Sequence, residues 1–323
     1  MKRIALVTGA GGAIGATLVR RLLKRDYAVR ALLREPASAT PLPDGIEVVR
    51  CDINDCQLVR LAVVGADVIF HLAAKLHINN PSPRLKDEYF RVNVEGTRCL
   101  ARAAHAAEVK LIFFSTINVY GSSQPGQLFD EETPFSPDSL YAETKIEGEE
   151  IVRAESRAVI LRLAAVYGPR MKGNYTRLVE AIRRGRLPLI GDGRNRRTLV
   201  HVEDACDAAI AAAEHDAAVG QIYNVTDGSV HSLREIIRAI AVALEKRPPR
   251  LHLPTRPARF AAGLLEDGLR VVGKESPITR ATIDKLTEDI AVSGEKIQRE
   301  LGFQPRYDLQ AGWRQTVEQM TSG

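Results

Sequence analysis

The sequence predicts an α/β fold built on a doubly wound parallel sheet. Three observations carry that prediction. Short apolar runs alternate with helix-like stretches through the first half of the chain. Those runs are continuous rather than alternating, as in strands covered on both faces. The first of them, residues 3–8, passes through a glycine-rich turn straight into a helix pattern.

The chain has 323 residues, enough for one compact body of two lobes. Its hydrophobic and charged fractions, 45% and 26%, are those of an ordinary globular protein. The net charge of +5 is mild and its basic residues are scattered. An anionic substrate or cofactor is therefore expected, with no nucleic-acid partner. Cys51, Cys56, Cys99 and Cys206 form no CxxC pair and have no histidine at metal-site spacing. They are expected to be reduced, mostly buried thiols of a cytoplasmic protein, with no metal. No apolar run is long enough to span a bilayer, so no membrane partner is expected.

In order, the turn after residues 3–8 reads Gly9-Ala-Gly-Gly12-Ala13-Ile14-Gly15, and helix pattern covers 16–25. Gly9 permits the tight turn, Gly12 a close approach to a pyrophosphate, and Gly15 close helix–strand packing. The helix start then faces the phosphates. This is the context of dinucleotide binding in the Rossmann fold. The next strand, 28–33, usually ends in an acid that bonds ribose hydroxyls. Here Leu33 and Arg34 follow, with Glu35 just beyond. Arg34 suits the 2′-phosphate of NADP; alternatively it is solvated and Glu35 reaches the ribose.

Strands at 46–51 and 67–74 deliver Asp52, Ile53, Leu72, Ala73 and Ala74 to the ligand-bearing edge of the sheet. Asp52 is placed for an adenine amino group. Small residues at 73 and 74 admit a cofactor. A helix over 88–107 carries Asn93, which reads as structural, water-holding or simply exposed. The strand at 109–115 brings Thr116 to the same edge, where a hydroxyl can bond a reacting oxygen. After a polar loop, Tyr141 and Lys145 lie one turn apart on one helix face. An ammonium beside a phenol favours the phenolate, so the pair suits acid–base work on an alcohol or ketone.

With these residues the chain resembles the extended short-chain dehydrogenase/reductase superfamily, in its NAD-dependent epimerase/dehydratase group. The resemblance rests on TGAGGAIG at 8–15, Asp52-Ile53, HLAA at 71–74, Asn93, Thr116 with VYG at 119–121, and YAETK at 141–145. It continues through LRLAAVYGPR at 161–170, GDGRNRRTLVHVEDA at 191–205 and YNVTDG at 223–228. It implies a Rossmann domain (1–168 plus about 199–226) and a smaller, mostly C-terminal α/β substrate lobe (about 169–198 plus 227–323). It also implies NAD or NADP, held by the glycine turn, Arg34, Asp52, Ile53, Leu72, Ala73, Ala74, Asn93, Tyr141 and Lys145. Thr116, Tyr141 and Lys145 become the catalytic set. Tyr141, its pKa lowered by Lys145 and a cationic nicotinamide, moves one proton while hydride passes between the substrate carbon and nicotinamide C4.

Dehydratases of this group carry two carboxyl groups after the threonine; here Ile117 and Asn118 stand there. That leaves an epimerase or a 4-ketoreductase of a nucleotide-linked, UDP-type hexose. Thr116, Asn118, Tyr141 and Arg197 are expected at the substrate, Arg197 on the diphosphate unless it is a surface arginine of its basic loop. Ala165 replaces the asparagine such enzymes use on the sugar. Two alternatives are a reductase of a steroid- or flavonoid-like ketone and a non-catalytic dinucleotide sensor. His201 and Trp313 read as packing residues. A homodimer is expected through the helices flanking Asn93 and Tyr141.

Overall fold

The computed structural model describes residues 2–34, 42–75, 83–124, 126–154, 157–171, 173–185, 189–249, 252–271, 276 and 279–321. Its centre is a parallel sheet of seven strands. β1 (Ile4–Thr8), β2 (Ala28–Leu33), β3 (Glu47–Arg50), β4 (Val68–His71), β5 (Lys110–Thr116) and β6 (Ala158–Leu163) come first in the chain. Helices run between them: α1 (Ala13–Lys24), α2 (Cys56–Val63), α3 (Pro83–Phe90), α4 (Gly96–Ala106) and α5 (Leu140–Ala154). All seven residues of β5 and all six of β6 are buried. That double cover explains the apolar runs Leu111–Phe114 and Ala158–Leu161 within them, while Lys110, Ser115, Thr116 and Arg162 are buried polar residues.

The chain then leaves the sheet through β7 (Ala165–Tyr167), α6 (Asn174–Arg183), β8 (Leu189–Ile190) and β9 (Arg196–His201). It returns with α7 (Val202–Glu214) and β10 (Ile222–Val225), which pairs with β6. The sheet order is β10-β6-β5-β4-β1-β2-β3. The order reverses between β1 and β4, and ligands bind at the carboxyl ends of the strands at such a switch point.

The remainder comprises β11 (Val230–Ser232), α8 (Leu233–Ala243), β12 (His252–Leu253), α9 (Thr255–Val271), α10 (Arg280–Thr287), α11 (Glu295–Leu301) and α12 (Leu309–Thr321). β11, β9 and β7 form a small sheet, and β12 pairs with β8. Around Trp313, which is fully buried and stacked on Tyr167, lies a hydrophobic cluster separate from the two that flank the main sheet. Ser232 caps α8 through a reciprocal capping box with Glu235. His201 packs against Tyr307 and accepts the Glu203 N–H at the start of α7, a structural role.

Two expectations are corrected. The helix expected over 88–107 is interrupted by a π turn at Arg91–Glu95, and helix already begins at Pro83. The wider turn aims Asn93 inward, and Gly96 lies against Ile53 where a Cβ would come within 2.5 Å. The cysteines are not all reduced thiols. Packing of α2 on α4 brings the Cα atoms of Cys56 and Cys99 to 5.0 Å, and the two are joined as a disulfide. Cys51 and Cys206 are free and buried, as expected.

Candidate active site

A cleft of about 2400 Å³ opens at the carboxyl ends of the strands. Its cofactor-side wall begins at the glycine turn. Gly9 has φ +70°, and a Cβ there would stand 2.8 Å from the Ala73 backbone nitrogen. A Cβ at Gly15 would stand 2.2 Å from the Gly9 carbonyl oxygen. The turn therefore tolerates no side chain at either position, and α1 starts directly behind it. With no acidic residue in its first turn, α1 presents its positive end to the cleft.

The neighbouring strand end is fixed by a chain of hydrogen bonds. Thr97 donates to the Asn93 carbonyl (2.7 Å), so its oxygen accepts from His71 Nε2 (2.9 Å). His71 Nδ1 then accepts from the Thr8 hydroxyl (2.8 Å), which itself accepts the Ala73 N–H (3.1 Å). Burial draws the His71 pKa down to about 3, so the ring is neutral, as this chain requires. Leu72, Ala73 and Ala74 line the cleft beside the glycine turn.

Arg34 lies exposed at the end of β2 and lines the cleft near Asp52. Asp52 accepts from the Asn54 backbone and side chain, and these bonds hold its carboxyl below the usual range. Ile53 is buried and also faces the cleft. Glu35, the alternative ribose partner, lies outside the described residues.

Thr116, Ile117, Asn118 and Tyr141 share the middle of the lining. Thr116 ends β5 and accepts the Asn118 N–H at 3.2 Å. Tyr141 stands in the first turn of α5. Lys145 and Asn93 do not line the cleft. Asn93 is buried, accepts the Lys75 N–H (2.7 Å) and donates to Thr144 (3.0 Å), so it braces the β4 loop against α5. The Lys145 ammonium lies 3.9 Å from the Phe113 ring centroid.

The expected lowering of the Tyr141 pKa is reversed in the protein alone. Burial, reinforced by Tyr89, pushes Tyr141 up to about 12. Burial also draws Lys145 down to about 7, although Glu149 one turn further on opposes this. With its ammonium over Phe113, Lys145 does not counter the desolvation of the phenol. Tyr141 is held protonated, poised as an acid.

Beneath these residues, Glu149 accepts from the Ser115 hydroxyl and forms a buried ion pair with Arg162 (2.7 Å). Arg162 also donates to Tyr120 (2.8 Å). One carboxylate thus ties the helix of Lys145 to the strand of Thr116.

The far wall is charged. Among the described residues, eight basic side chains line the cleft against three acidic ones, which favours an anionic ligand. Arg20 and Arg170 stand close enough for Arg170 to depress the Arg20 pKa, second only to desolvation. Arg197 reaches the cleft but is already engaged: it pairs with Glu288 (3.0 Å) and donates to the Lys285 carbonyl. Arg20, Arg177, Lys285 and Glu288 escape a reading of short motifs. Lys285 and Glu288 fall outside every motif that carries the resemblance.

The NAD dependent epimerase/dehydratase family model matches residues 5–226. The chain belongs to that family. A UDP-glucose 4-epimerase of Vibrio cholerae is 30% identical over 98% of this chain and 95% of its own length. An Escherichia coli O157:H7 4-epimerase of N-acetyl-alpha-D-glucosaminyl-diphospho-ditrans,octacis-undecaprenol is 27% identical over 97% and 94%. The structure of a Thermus thermophilus UDP-glucose 4-epimerase complexed with NAD superposes with a TM-score of 0.76, at 26% identity over 99% of both chains. As a member of the epimerase/dehydratase family the protein is an NAD-dependent enzyme, and the cradle left by Gly9, Gly12 and Gly15 fits a dinucleotide. Among the described residues, no group of His, Cys, Asp and Glu could hold a metal and no helix is long and apolar enough to cross a membrane.

Proposed function

We propose that the protein is a 4-epimerase or 4-ketoreductase of a hexose carried on a nucleoside diphosphate, UDP foremost. One observation carries the reading: Thr116 and Tyr141 line one cleft with the glycine turn, and the two positions after Thr116 hold Ile117 and Asn118 instead of carboxylic acids. Nothing at those two positions can shuttle the extra proton that dehydration needs. When bound, the dinucleotide supplies hydride exchange with the sugar carbon. Tyr141 gives its proton to the C4 oxygen or takes it back. Thr116 and Asn118 orient that oxygen. Lys145 serves the ribose hydroxyls and raises the acidity of Tyr141 once it swings off Phe113. Ionisation of Tyr141 then waits on a positive charge brought to its open side.

Within this reading, residues 1–168 and about 199–226 serve the cofactor, and about 169–198 and 227–323 serve the sugar. The chain works as a homodimer. Arg34 gives the adenosine end a place for the 2′-phosphate of NADP, and melting curves with NAD and NADP test that preference. Arg197, freed from Glu288, takes the diphosphate. The deciding experiment incubates the protein with NAD and UDP-hexoses and follows C4 by NMR. Inversion at C4 without net NADH supports epimerisation, and stoichiometric NAD(P)H consumption with a 4-keto sugar supports reduction. Loss of six-position water, or no turnover of any UDP-sugar, rejects the reading.

A further inference from the structure

The outward face of α9 is apolar. Ala262 and Gly263 are buried, whereas Phe260 is 70% exposed and Leu264 59%. At about 100° per residue, those two stand at the apex of the solvent-facing side. A surface helix normally turns its charges there. Here the charges flank the apex. Arg256, with Lys246 and Arg247 before the helix, is exposed near the N-terminal end; Arg259 is paired with Asp284 at 2.7 Å and Asp267 with Arg280 at 2.6 Å, and Arg270 turns toward the cleft. The stretch 246–271 carries six basic and two acidic residues, most of the chain's net charge of +5.

We propose that this face of α9 docks the enzyme on an anionic lipid bilayer. An apolar ridge with basic flanks is the build of an interfacial helix, its ridge seated at the acyl boundary and its arginines at the phosphates. Charge selects this occupant. A second copy across a twofold axis would bring the same arginines together, whereas an anionic surface receives both ridge and flanks. Docking here needs no spanning helix, and so goes beyond the expectation of a chain without a membrane partner. Glu266 and Arg270 of the same helix line the cleft, so the substrate wall would lie at the lipid surface. The proposal goes beyond the catalytic reading and stands whether the sugar carrier is soluble or lipid-borne.

The test is co-sedimentation of the full chain with vesicles of phosphatidylcholine alone or mixed with phosphatidylglycerol. Binding is expected only to the anionic vesicles and should weaken several-fold in high salt. The double variant F260S/L264S should bind at least tenfold more weakly while keeping its melting temperature, NAD affinity and turnover of soluble substrate. Arg256→Ala should give a partial loss. Absence of sedimentation with anionic vesicles overturns the proposal. So does a fall in molar mass of the double variant by light scattering, which would assign the face to a second copy. Unchanged turnover alongside lost vesicle binding separates this outcome from failure of the catalytic reading.

Discussion

The two ends of the cleft are built from different materials. The cofactor end is backbone and small side chains: Gly9, Gly15, Ala73 and Ala74, with the Thr8–His71–Thr97 chain locking the strand ends together. Its shape is set by close backbone packing and neutral hydrogen bonds and is ready before any ligand arrives. The opposite end is made of long charged side chains that already bind one another: Arg197 with Glu288, and Lys285 with Asp138 and Glu288. A ligand there must exchange internal ion pairs for its own. Fit governs the first end and competition between charges governs the second.

Tyr141 stands between the two ends, and its loss should have the largest effect. Tyr141→Phe should cut kcat by about 10²–10⁴, leaving NAD and UDP affinities within about twofold in titration calorimetry. Loss of either affinity would mean that the residue builds an end rather than serving both. Glu149→Gln should follow. It leaves the Arg162 guanidinium buried without its counter-charge, at a cost of about 3–5 kcal/mol in urea unfolding.

Gly15→Ala attacks the cofactor end alone. Its Cβ meets the Gly9 carbonyl, so about 1–3 kcal/mol of stability should go, and NAD affinity with it, while UDP binding persists. Acid acts on that end too. The unfolded chain protonates histidine near pH 6.5, roughly the ordinary value, whereas His71 resists to about 3. The native state binds fewer protons in between, so this site's contribution is complete above 6.5 and is lost as pH falls toward 3. A His71→Gln variant should show a flatter fall of melting temperature between pH 7 and 4. The gentlest change belongs to the charged end. Glu288→Gln should release Arg197 and tighten UDP by about threefold to tenfold, roughly 1 kcal/mol, with NAD binding unmoved. If UDP binding weakens instead, Glu288 positions Arg197 rather than competing for it.

The same contrast explains what the sequence reveals. The glycine turn, the Tyr141–Lys145 spacing and the Ser232 cap are decided within a few residues, so their chemistry can be read locally. Arg197 and Glu288 are 91 residues apart along the chain. No local pattern announces that one will occupy the other. The Cys56–Cys99 pairing escapes for the same reason, since it depends on how two helices pack. α2 itself is blurred because Leu58 and Leu61 are exposed and break its apolar stripe. The protonation of Tyr141 depends on Tyr89 and Phe113, which arrive from other elements. Spacing alone therefore places Tyr141 and Lys145 on one helix but does not give the protonation of Tyr141 in the protein without its dinucleotide.

The sheet's last strand carries a consequence for biosynthesis. β10 reaches the edge of β6 only after an excursion of some sixty residues. Until that stretch has left the ribosome, β6 offers six residues of backbone, Ala158–Leu163, apolar but for Arg162, with one side of its ladder unpaired. An open edge of this kind is a template for pairing with a neighbouring nascent chain. Between synthesis of Leu163 and Val225, shielding of that edge falls to whatever else meets the nascent chain.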